Sequence, residues 1–97
     1  MNDVNLNFPD LKGKCVSITI MDDSVNHDLF DPHFETQGNR IFIVGTIPEG
    51  ATESNWVAGC QSSIAWSRVT DYVVFESLEA YKKALAISEA HEDESSE

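Results

Sequence analysis

The chain reads as mainly β: a small, strongly curved, barrel-like antiparallel sheet of about five strands, closed off by one C-terminal α-helix. Three observations predict this. The first two thirds hold short runs of alternating or β-branched apolar residues, separated by Gly, Pro, Asn and Asp. Only the last stretch, from Ser77, switches to helical spacing. The chain has 97 residues, 41% of them apolar, which suits one modest core and one domain.

Each element has its own signal. In "KCVSITIM" (14–21), Val16, Ile18 and Ile20 share one face, and Cys15, Ser17, Thr19 and Met21 the other, as in a half-buried strand. "HDLFDPHFE" (27–35) is read as an acidic loop anchored inward by Leu29, Phe30 and Phe34, with Asp31–Pro32 initiating a turn. Gly38 and Asn39 form a turn before "RIFIVGTI" (40–47), which is apolar on both faces and reads as a central strand. Pro48 and Gly50 fit the second and fourth positions of a turn that opens a polar loop. "WVAGC" (56–60) and "SIAW" (63–66) are short strand candidates, and the last strand runs from about Tyr72 to Glu76. Ser77 is an N-cap with Glu79 in the first turn. Leu78, Tyr81, Ala84 and Leu85 then line one side of a helix of about three turns. The globular domain is placed at 1–88, and 89–97 is an acidic, disordered tail.

The segment "IAWSRVTDYVVF" resembles the end of an SH3-like barrel, where a strand meets one tight helical turn and a final short strand. The resemblance covers about a dozen residues and is one of layout. The aromatic groove of peptide-binding SH3 domains has no counterpart, so proline-rich ligands do not carry over.

Charge bounds the function more tightly than any motif does. The net charge is −11, from 17 acids against 6 Lys plus Arg. Five of those acids lie in 89–97, so the domain itself is also acidic. Phosphate backbones and anionic membranes demand clustered cations, so neither direct nucleic-acid nor membrane binding is expected. No signal peptide or membrane-length apolar run is expected, and both Cys15 and Cys60 read as buried free thiols; the cytoplasm follows.

Catalytic patterns fail one by one. There is no GxSxG elbow, no phosphate-binding P-loop and no GxGxxG fingerprint. A calcium loop starting at Asp22 would need glycine and glutamate where His27 and His33 stand. A zinc-protease helix needs histidines four apart, whereas these are six apart across Pro32. In an extended strand His27, Asp31 and His33 would share one parity, which keeps a loose metal cluster as an alternative, with Asp28 and Glu35 beside it. It would make the chain a metal-binding protein or a metal-dependent hydrolase.

The favoured function is a non-enzymatic, cofactor-free module that binds a protein with a basic surface. Asp22, Asp23, Asp28, Asp31 and Glu35 would steer the partner, and Trp56, emerging from a polar loop, would anchor it. A sharper version is an inhibitor that imitates nucleic-acid charge. The third alternative is a structural homo-oligomer, with an edge strand such as "KCVSITIM" pairing with its own copy. Trp66 reads as core, and Arg40 and Arg68 as partners of nearby carboxylates.

Overall fold

A computed structural model describes residues 8–52 and 54–95, with side chains as far as Ala90. Five strands form one antiparallel sheet: β1 (Cys15–Ile20), β2 (His27–Gln37), β3 (Arg40–Thr46), β4 (Gln61–Ala65) and β5 (Val69–Phe75). Their spatial order is β4-β3-β2-β1-β5. The sheet is not closed, because no ladder joins β4 to β5. One 3₁₀ turn, Trp66–Arg68, connects these two edge strands, and a single helix, α1 (Leu78–Ser95), follows β5.

The alternation in β1 sets the inner face. Val16 and Ile18 are buried with Leu29 of β2, Ile43 of β3, Ile64 of β4 and Leu11 in one cluster. Ile20, Phe34, Trp66 and Val69 pack against it. At one end of this face Phe34 stacks on Phe8 at 4.5 Å and meets Trp66 edge-on at 4.9 Å. Trp66 is thus part of the core, as its apolar neighbours suggested.

The acidic segment differs most from its sequence reading. It is not a loop but the longest strand, β2. Its register slips between Phe30 and His33, where Asp31 takes a positive φ of 55° and Pro32 is buried. This is a bulge, not a chain-reversing turn. A proline has no amide to give to a ladder, and a bulge is one of the few strand positions that tolerates it. β3 accommodates the bulge with Gly45: a Cβ there would lie 3.0 Å from Leu29 Cβ and 3.3 Å from Pro32 Cα.

Other boundaries shift for equally local reasons. "WVAGC" is turn, not strand: Asn55 has a φ of 55°, and the Ala58 and Cys60 amides donate back to the Asn55 and Val57 carbonyls. The turn after β3 is framed one residue later than expected, with the Ala51 amide donating to the Pro48 carbonyl and Gly50 third. β5 begins at Val69, three residues early. β1 lies between β2 and β5, so "KCVSITIM" is an interior strand and not a free edge.

Ser77 caps α1 as expected, its Oγ accepting from the Ala80 amide at 3.0 Å. The helix has 18 residues, about five turns rather than three. Its backbone continues through Ser95 into the stretch assigned to the tail, where Ala and Glu are good helix formers. Residues 96 and 97 lie outside the described residues. No helix among the described residues is long and apolar enough to cross a membrane.

Candidate functional site

The bulge in β2 decides what the histidines and carboxylates can do together. His27 stands opposite Ile18 and Leu29 opposite Val16, so His27 aligns with the inner face. Beyond the bulge the parity reverses. Phe34 now stands opposite Ile43 on the inner face, and His33 opposite Val44 points outward. The two histidines therefore sit on opposite faces, separated by on the order of 20 Å of strand. The shared parity expected of His27, Asp31 and His33 holds only for an unbroken strand.

Each member of the cluster has a local partner instead. His27 Nε2 lies 3.0 Å from Asp23 Oδ2, and His33 Nε2 lies 2.7 Å from Glu35 Oε2. The hydrogen bond from His27 holds the Asp23 carboxyl below its ordinary range, helped by the Val25 amide. The bond from His33 does the same for Glu35. Asp31 Oδ1 accepts from the Gly13 amide at 2.7 Å, while the Asp31 amide donates to the Lys14 carbonyl. That carboxylate ties the turn before β1 to the bulge. Among the described residues no group of three or more His, Cys, Asp or Glu is placed to hold a metal ion.

The carboxylates assigned to a single steering face are likewise dispersed. Asp22 and Asp23 are exposed in the β1–β2 connection. Asp31 and Glu35 are engaged as described, and Asp28 lies under α1. There Tyr81, buried at 2% exposure, donates its hydroxyl to Asp28 Oδ2 at 2.5 Å. The other oxygen, Asp28 Oδ1, is buried with no hydrogen-bond partner among the described residues. Cys15 is fully buried nearby. Burial first, and then the Asp28 charge, pushes its thiol up to about 12. Burial and the bond to Asp28 raise Tyr81 as well. A thiol held protonated in this way is a poor nucleophile. Cys60, by contrast, is exposed, which corrects the expectation that both cysteines are buried; both are free.

No family model, curated protein or solved structure matches this chain.

The Asp28–Tyr81 pair floors a cleft of about 340 Å³ between the sheet's outer face and α1. Ser17, Asn26 and Phe75 form the sheet wall, Ala84, Leu85 and Ser88 the helix wall, and Gly50 and Ala51 close one side. Gly50 takes a positive φ of 91°, which favours glycine, and it lies close to the end of the Leu85 side chain. Its amide donates to Asn55 Oδ1 at 2.8 Å, which folds the loop back on itself. Trp56 follows directly and is 78% exposed. Sequence reasoning singled out Trp56 for its place beside a polar loop but gave no sign of the cleft, because Ser17, Asp28 and Tyr81 are joined only by the docking of α1. The arginines also differ from expectation. Among the described residues neither forms an ion pair: Arg40 lies over the Phe42 ring at 5.5 Å, and Arg68 donates to the Met21 carbonyl.

Proposed function

We propose that the chain is a non-enzymatic, cytoplasmic binding module for a protein with a basic surface. The carrying observation is Trp56, a large aromatic left 78% exposed on a loop that is internally hydrogen-bonded. A tryptophan next to a backbone already tied by hydrogen bonds needs less ordering on burial, and tryptophan is a frequent anchor in interfaces. The net charge of −11 favours a cationic partner. Steering then comes from the whole molecule, with Asp22 and Asp23 among its exposed contributors, rather than from one acidic face. The support for a curled, SH3-like scaffold is the 3₁₀ turn. Five strands laid flat would span about 19 Å from edge to edge, a gap that three residues of 3₁₀ helix do not bridge. Curling of the sheet brings those edges together.

The test is capture from the native cell with wild-type and Trp56→Ala baits, followed by binding kinetics on the recovered protein. The expected partner has a basic surface, associates more slowly as salt rises, and dissociates faster from Trp56→Ala. Salt-independent binding that ignores Trp56→Ala would sink the proposal.

One observation favours a second reading, self-association. The free edge strand β5 exposes Val73 at 55% and Val74 at 39%, so it, and not β1, is where a second copy would pair. Sedimentation at low and high salt separates the two readings, since screening strengthens contact between like-charged copies and weakens contact with a cation.

A further inference from the structure

We propose that the free edge of β5 pairs with β5 of a second copy, antiparallel and centred on Val73, so that two sheets become one. This rests on the self-association reading above and fixes its register.

The edge is open and apolar. β5 ladders only with β1, and the backbone of Asp71–Phe75 has no partner on its other side among the described residues. Tyr72, Val73 and Val74 stand there in succession, 36%, 55% and 39% exposed. The opposite edge, β4, instead shows Gln61, Ser62 and Ser63 and buries Ile64. A strand with Asp71 as its one charge and no proline is a template for another strand. α1 leaves this edge accessible. The helix turns back over β1 and β2, where Tyr81 reaches Asp28 and the cleft takes in Ser17 and Asn26.

The occupant follows from the residues along the edge. A two-fold axis through a joined sheet keeps each side chain on its own face, and faces alternate along a strand. Two copies of β5 can therefore pair only about a residue, never between two. β5 is regular against β1 from Asp71 to Phe75, and Thr70 is the extra residue of a bulge. Val73 is the middle of that regular stretch. Centred there, Val73 faces its own copy, Tyr72 faces Val74, and Asp71 faces Phe75. Tyr72 and Val74 stand opposite Ile18 and Val16, so their pair extends the inner face, while Val73 covers itself on the outer. Aromatic and β-branched pairs of this kind stabilise a sheet, and no like charges meet. A centre at Asp71 would oppose two carboxylates, and one at Tyr72 would draw in the bulge. Each copy carries −11, so the contact is opposed at low salt and strengthens as salt screens it.

The experiment is sedimentation velocity of the full chain at low and high salt, joined to disulfide trapping in a Cys60→Ser background. The wild type should shift towards dimer as salt rises. Val73→Lys should weaken that dimer about tenfold or more, because two ammonium groups then face each other across the axis. The same change makes each copy less negative, so general repulsion alone would give the opposite result. Val73 is more than half exposed, and circular dichroism should show the fold retained. Facing residues lie about 4.5–5.5 Å apart between Cα atoms, within reach of a disulfide. Val73→Cys should therefore cross-link with itself at high salt, and Tyr72→Cys only when mixed with Val74→Cys. Self-cross-linking of Tyr72→Cys alone, or a dimer that ignores Val73→Lys, would overturn the register and leave self-association standing. A monomer at every salt concentration would remove both and leave the basic-partner reading untouched.

Discussion

The two faces of strands β1 and β2 are buried by different means. On the inner face Val16, Ile18 and Leu29 join Ile43 and Ile64 in an unbroken apolar cluster. On the outer face Cys15, Ser17 and Asp28 lie under Tyr81, a patch that mixes a thiol, a hydroxyl and a carboxylate. The inner face is held by area removed from water, which is non-directional and tolerant of detail. The outer face adds to the packing of Tyr81 on Phe75 one short hydrogen bond to a carboxylate, which depends on position. Stability is therefore expected to reside mainly inside, and the capacity to recognise something outside.

The sharpest way to break the comparison is to truncate one residue on each face. Leu29→Ala removes a side chain at 1% exposure, facing Val16 and lying 3.0 Å from where a Gly45 Cβ would be. With little room to collapse, it should cost about 2–5 kcal/mol in chemical denaturation. Tyr81→Phe keeps the ring against Phe75 but leaves both Asp28 oxygens without a donor among the described residues. The expected loss is about 1–3 kcal/mol. If Tyr81→Phe proves as damaging as Leu29→Ala, the outer face is core in all but composition.

The same contrast explains what the sequence disclosed. The inner face was legible because a period of two in "KCVSITIM" is a local signal, and so was the Ser77 cap. The outer face was not. Cys15 was expected to be buried, but neither it nor Ser17 shows what covers that face, since nothing near them announces a helix more than sixty residues downstream. β2 was hidden for a different reason. A positive φ at Asp31 beside Pro32 resembles turn chemistry in any short window, and only the pairing with β3 shows that the strand continues. The bulge then reverses parity, which undid the expectation for His27 and His33. Trp56 could be weighed from sequence but not decided, because exposure depends on where the Asn55 turn sends it.

Alkali sharpens the comparison further, because the buried inner cluster of Val16, Ile18, Leu29, Ile43 and Ile64 has nothing to titrate. Folded Cys15 keeps its proton to higher pH than the unfolded chain does. Its contribution to stability is therefore complete below pH 9.0 and is lost as pH rises towards about 12. Tyr81, raised by burial and Asp28, acts in the same direction. Denaturation midpoints should fall across that window, and Cys15→Ala should flatten the decline. Thiol labelling of the folded protein should give one fast group, Cys60, and one slow group, Cys15. Two slow thiols would mean that the turn carrying Cys60 is covered.

The smallest expected effect on folding comes from Trp56→Ala, and its smallness is informative. At 78% exposure the indole has little area removed from water, so truncation should shift stability by no more than about 0.5 kcal/mol. Its loop is held by Asn55 Oδ1 on the Gly50 amide, which the substitution does not touch. Against a bound partner the same change should cost about 2 kcal/mol or more, because the ring is then desolvated and its loss leaves a hole in the interface. A residue silent in folding and costly in binding is one placed for recognition. A loss of stability comparable with that of Tyr81→Phe would show instead that the indole packs against its own chain, and Trp56 would then belong with the buried faces.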